Sequence, residues 1–198
     1  TSGTTTTDTL AVAEINATTL DYANKVGSVG LKGSFATVNV QATSTDSPAL
    51  KLDDCPITNL SITGGSGTIL LAATTAVTGA INMIGAKSVR LEIEASTTVS
   101  AADITMDSGR VVCYEEIDTA ILFGGTLEMV NASGTSGTIT IYQGTCRYKP
   151  TAEVVLSNLM MYGGYFDMRG CNAPKHTITN TTLNSGSMID ERNGLANA

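Results

Sequence analysis

Apolar residues recur every 22 positions in this chain: Val77, Val99 and Ile121 form one column, Ile62, Ile84 and Met106 a second, and Ile69, Leu91 and Cys113 a third. Three columns sharing one period mean that the backbone coils on itself and stacks like on like. About 22 residues is what three short strands and three turns need in one coil of a parallel β-helix, each coil rising by the inter-strand spacing of about 4.8 Å. The clearest strand turns Val89, Leu91 and Ile93 inward and Arg90, Glu92 and Glu94 outward. Later the period loosens, yet residues 122–140 (LFGGTLEMVNASGTSGTIT) and 161–179 (MYGGYFDMRGCNAPKHTIT) align without a gap, 39 residues apart, as a repeat of two shorter coils. The expected fold is all-β: a right-handed parallel β-helix of about six coils of roughly 20–22 residues, its hand following that of parallel crossovers.

Composition suits the thin columnar core of a solenoid, with 42% apolar residues, 5% aromatics and no Trp. Charged residues are only 15%, so Thr, Ser and Asn must carry most of the polar surface. The net charge is −7 and no run of Lys or Arg forms a phosphate-neutralising stripe, so nucleic acid is not an expected ligand. Thirteen of the eighteen acids lie at or before Asp118, whereas Arg147, Lys149, Arg169, Lys175 and Arg192 balance the five that follow. Such a gradient can orient a rod against a partner or be scattered solvated charge. No apolar run is long enough to span a membrane. Thr1-Ser2-Gly3 opens the chain without a charged n-region, which reads as a mature end and cytoplasmic synthesis.

Residues Thr1 to Thr9 are Thr-rich with one charge, too polar to pack alone. TSTDSP, residues 43–48, reads as a linker or sharp turn. The expected division is therefore an N-terminal extended arm over 1–50 and the β-helix over 51–198. Within the arm, the strand-like FATVNV places Phe35, Val38 and Val40 as candidates for pairing with a partner's edge.

Chemistry-bearing constellations are sparse. Polysaccharide hydrolysis needs two carboxylates about 5 to 9.5 Å apart. At the 22-residue offset, Glu92 and Glu94 fall one coil below Tyr114 and Glu116, with Asp103, Asp107, Glu115 and Asp118 nearby in sequence. Stacked outward carboxylates are ordinarily a solvated face, so no catalytic residues are assigned. His176 has no Ser, Cys or Asp at a triad spacing, and SITGGSG (61–67) lacks the Lys-Ser/Thr of a phosphate cradle. Cys55, Cys113, Cys146 and Cys171 fit no metal spacing and read as buried reduced thiols. Neither a metal nor a cofactor is expected. Tyr142, Tyr148, Met160, Met161, Tyr162, Tyr165, Phe166 and Met168 concentrate late, as an interface or as a widened core. The ending GSMIDERNGLANA offers no amphipathic cap, which favours an interface, with Tyr162, Tyr165 and Phe166 as its anchors.

The Thr-rich arm, the low charge and coils such as SITGGSGTILLA and ASGTSGTITIY resemble the β-helical structural proteins of tailed phages. The resemblance is architectural and covers residues 57–190. It implies a non-enzymatic virion protein, made in the host cytoplasm, that decorates or cements a capsid. Its partners would be the major capsid protein or another virion protein, and its expected state is a homotrimer. Two alternatives stay open: a polysaccharide-binding tail spike or fibre, and a bactofilin-like self-assembling solenoid.

Overall fold

The computed structural model describes residues 10–11, 17–23, 27–41, 44, 47–99, 102–130, 134–150, 154–169 and 176–189. Among these there are eighteen strands and no helix, so none long and apolar enough to cross a membrane. Consecutive strands are not hairpin partners; each pairs in parallel with a strand about one coil away, giving a β-solenoid of about seven turns.

Each coil has two long faces. The first is built by Leu10–Ala11, Val29–Leu31, Leu50–Leu52, Ser66–Leu71, Ser88–Ile93, Arg110–Cys113, Thr126–Met129, Thr145–Tyr148 and the end of Val154–Asp167. The second runs from Ala17–Tyr22 through Phe35–Val40, Pro56–Ile62, Ala80–Met83, Asp103–Met106, Thr119–Leu122 and Gly134–Ile141 to His176–Ile189. A short third face joins them, where Pro56–Ile57 pairs with Ala76–Val77 and Ala76 bridges to Thr98.

Strand alternation makes every second side chain point into the bore, and register stacks those side chains into columns. Leu50, Ile69, Leu91, Val111, Leu127, Cys146 and Phe166 form one continuous column, all fully buried. Val40, Ile62, Met83, Met106, Leu122, Ile141 and Met161 form another. Coil length is not constant. Ile69 to Leu91 spans 22 residues, but Leu91 to Val111 spans 20 and Val111 to Leu127 only 16.

Three expectations change accordingly. Ile84 is 43% exposed at a turn and Met83 takes its place in the column, because one coil is a residue short and the next a residue long. Cys113 stacks on Ile93 rather than Leu91. Val77 and Val99 are buried on adjacent coils, but Ile121 faces outward between Thr105 and Thr140. The 39-residue repeat spans two coils: Leu122 pairs with Ile141, which pairs with Met161.

Phe35–Val40 is a coil of the solenoid, pairing with Ala17–Tyr22 on one side and Pro56–Ile62 on the other. The parallel ladder runs on through residue 50, where Leu50–Leu52 pairs with Val29–Leu31 and with Ser66–Leu71. The strand turns a corner at Ala36–Thr37, so Phe35, Val38 and Val40 all point inward and are at most 2% exposed. The Thr-rich segment Thr1–Thr9 lies outside the described residues.

Candidate functional site

Where the second face turns into the first, the chain reverses in three residues, and that brevity fixes what stands there. Gly109, Gly125, Gly144, Gly164 and Gly186 occupy this corner on successive coils, all with φ between +67° and +101°. Only glycine adopts such φ without cost. Space excludes a side chain as well: a Cβ on Gly144 would lie 2.6 Å from the Gly125 carbonyl oxygen, and one on Gly164 2.6 Å from that of Gly144.

With the turn itself glycine, the residue that opens it is thrown outward. On three successive coils that residue is aromatic. Phe123, Tyr142 and Tyr162 stack with ring centroids 5.0 Å apart at each step and interplanar angles of 6° and 12°. The centroid step is close to the coil spacing, so the backbone ladder dictates the ring ladder. Each such pair contributes about 0.5–1.5 kcal/mol. The rings nonetheless remain 50%, 42% and 38% exposed. Half-buried Ile121 and Met160 stand two residues before Phe123 and Tyr162, on the same side of the strand, and extend the strip. Around the corner, Tyr165 is 53% exposed.

Of the anticipated interface residues, Tyr162 and Tyr165 thus lie on the surface. Phe166 does not: it is fully buried against Tyr148, ring centroids 5.5 Å apart, because Phe166 falls on the inward phase of the strand. Phe35, Val38 and Val40 are likewise core residues, so none of these four offers a contact surface. Phe123 was hidden from the sequence reading because it stands apart from the late aromatic cluster. Its signal is an aromatic two residues before glycine in FGG, YQG and YGG, 19 and 20 residues apart.

The carboxylates are occupied with the fold. Glu92 pairs with Arg90 at 2.9 Å and lies beneath Val112, not Tyr114, because that coil step is 20 residues. Glu94 accepts the Ala73 N–H at 3.2 Å, and Glu115 accepts that of Ser96. Asp107 accepts the Ser108 hydroxyl and the Gly85 N–H, which hold its carboxyl below the usual range. Asp167, 7% exposed, is gripped by Arg169 through both carboxylate oxygens at 2.9 Å, which holds it down to about 2. His176 opens the last strand.

Cys55, Cys113 and Cys146 are free and buried. Burial pushes the Cys113 thiol up to about 12 and raises that of Cys146 too. Cys171 lies outside the described residues. Among the described residues, no three His, Cys, Asp or Glu side chains converge as a metal site. The aromatic strip is thus an ordered, exposed apolar feature of the described residues, beside the separately exposed Leu183 and Met188 of the last strand. No family model, curated protein or solved structure matches the chain.

Proposed function

We propose that the chain is a non-enzymatic structural protein of a virion, decorating or cementing a phage capsid through protein–protein contacts as a homotrimer. The observation that carries this reading is the exposed stack of Phe123, Tyr142 and Tyr162. Rigid aromatic side chains held in place before binding lose little entropy on contact, and such residues dominate interface energetics. The solenoid supplies the rigidity, and the glycine corner leaves the strip exposed along one edge. A major capsid protein or another virion protein is the partner the resemblance implies, with Tyr165 at the margin of the contact.

The test is co-sedimentation of the purified chain with candidate phage shells assembled without it. Replacing Phe123, Tyr142 and Tyr162 together by Ser is expected to weaken binding at least about a hundredfold, as for a cluster of anchors worth roughly 3 kcal/mol. Equal binding by this variant, with an unchanged melting profile, would remove the strip from the account.

A further inference from the structure

We propose that Tyr142 and Tyr162 form a modification site, where a one-electron oxidant of the peroxidase–peroxide class joins the two rings as dityrosine and ties adjacent coils together. The rings stack with centroids 5.0 Å apart at 12°, and both side chains stay in contact with solvent. Exposure admits the oxidant, and stacking holds the reacting carbons about one coil spacing apart before oxidation begins. Rotation about the Cα–Cβ bonds closes the remaining gap. Gly144 below and Gly163 and Gly164 above carry no side chain to crowd that movement.

Each phenol gives up one electron and its hydroxyl proton, leaving a phenoxyl radical with unpaired density on the carbons ortho to oxygen. One ortho carbon of each ring then bonds to the other. The hydrogen on each of those carbons moves to the ring's oxygen, which restores both aromatic rings and both hydroxyls. In sum, two phenols lose two protons and two electrons, and hydrogen peroxide takes up both to become two waters.

The geometry confines the bond to one step of the ladder. Phe123 stacks on Tyr142 at the same 5.0 Å, but a ring without a hydroxyl yields no phenoxyl. Tyr148 is buried against Phe166, and Tyr22 donates its hydroxyl to the Ala49 carbonyl at 3.0 Å. The bond spans 20 residues of sequence and crosses between coils at the corner that glycines close. Such a tie restricts the unfolded chain, as a disulfide does. The inference is carried by the stack itself and does not depend on what the strip contacts.

Oxidation of the purified full chain with peroxidase and hydrogen peroxide tests this. The wild type is expected to gain the blue fluorescence of dityrosine with no change of mass on a denaturing gel. Trypsin cuts after Arg147, between the two tyrosines, so the peptides ending at Arg147 and at Arg169 should stay joined. The oxidised chain should also show a higher urea midpoint than the untreated one. Y142F and Y162F, which keep the ring stack, should each lose the fluorescence. F123Y combined with Y162F should regain it, because the pair of hydroxylated rings moves one step down the ladder, where the stack is equally close. No fluorescence in the wild type, fluorescence retained by Y142F or Y162F, no recovery in the double variant, or bonds formed only between copies would overturn the proposal.

Discussion

Two corners bound the first face, and they turn the chain by opposite means. The corner that leaves it is closed by side chains: the Thr75 hydroxyl donates to the Leu52 carbonyl at 2.8 Å, and that of Thr97 to the Ala72 carbonyl at 3.1 Å. Cys55 and Cys113 thiols reach the carbonyls of Leu31 and Glu115, both at 3.3 Å. The corner that enters the face is closed mainly by glycines packed carbonyl against Cα on successive coils, with the Asp107 carboxylate accepting the Gly85 N–H on one of them. A corner satisfied by polar side chains has those groups turned inward and spent on the fold. A corner satisfied by glycine leaves the preceding side chain free to point at solvent, and there the aromatic ladder stands. Side-chain closure and exposed aromatic surface are thus distributed between turns of a single repeating architecture.

The difference predicts an order of mutational effects. Gly144→Ala should be the most damaging, by about 3 kcal/mol or more, since it combines a left-handed backbone with a clash on a carbonyl that cannot move alone. Chemical denaturation would show this as a large drop in midpoint. Thr97→Val at the other corner should cost about 1 kcal/mol, since a buried hydroxyl hydrogen bond is lost while the Ala72 carbonyl keeps the Thr75 N–H. Should Thr97→Val prove the worse of the two, the distinction between the corners fails.

Smaller again is the pH term. The Asp167 carboxyl is depressed to about 2 in the folded chain, chiefly by Arg169, and returns to about 3.9 on unfolding. Its stabilisation is therefore complete above about pH 4 and is lost as pH falls from about 4 to about 2. Urea midpoints of wild type and D167N should differ at pH 6 and converge toward pH 2. Smallest in energy, Cys55, Cys113 and Cys146 should resist a thiol reagent in the native chain and react after unfolding, as buried protonated thiols do.

How much of this the sequence carries depends on which residues set the period. Leu91 over Ile69 is legible because that coil has the same length as the repeat read from the chain. Ile84 is misread because a single-residue slip sends a side chain to the opposite face, and Met83 beside it satisfies the column equally well. The same slip sorts Tyr165 outward and Phe166 inward, a distinction that composition alone cannot make. Glu92 under Tyr114 fails for a related reason: the coil between them lost two residues, and no local pattern announces a shortened turn. The ladder itself is written in the sequence, as aromatics at fixed offsets from glycine, but it becomes a site only once stacking distance and exposure are known.

The central claim is that the aromatic ladder is a contact surface rather than an ornament of the turn. Sedimentation equilibrium at high salt, where charged contacts are screened, compares the wild type with the chain carrying Ser at 123, 142 and 162. The account predicts three copies for the wild type and one for the variant, with both folded by circular dichroism. Equal masses for the two chains would contradict it.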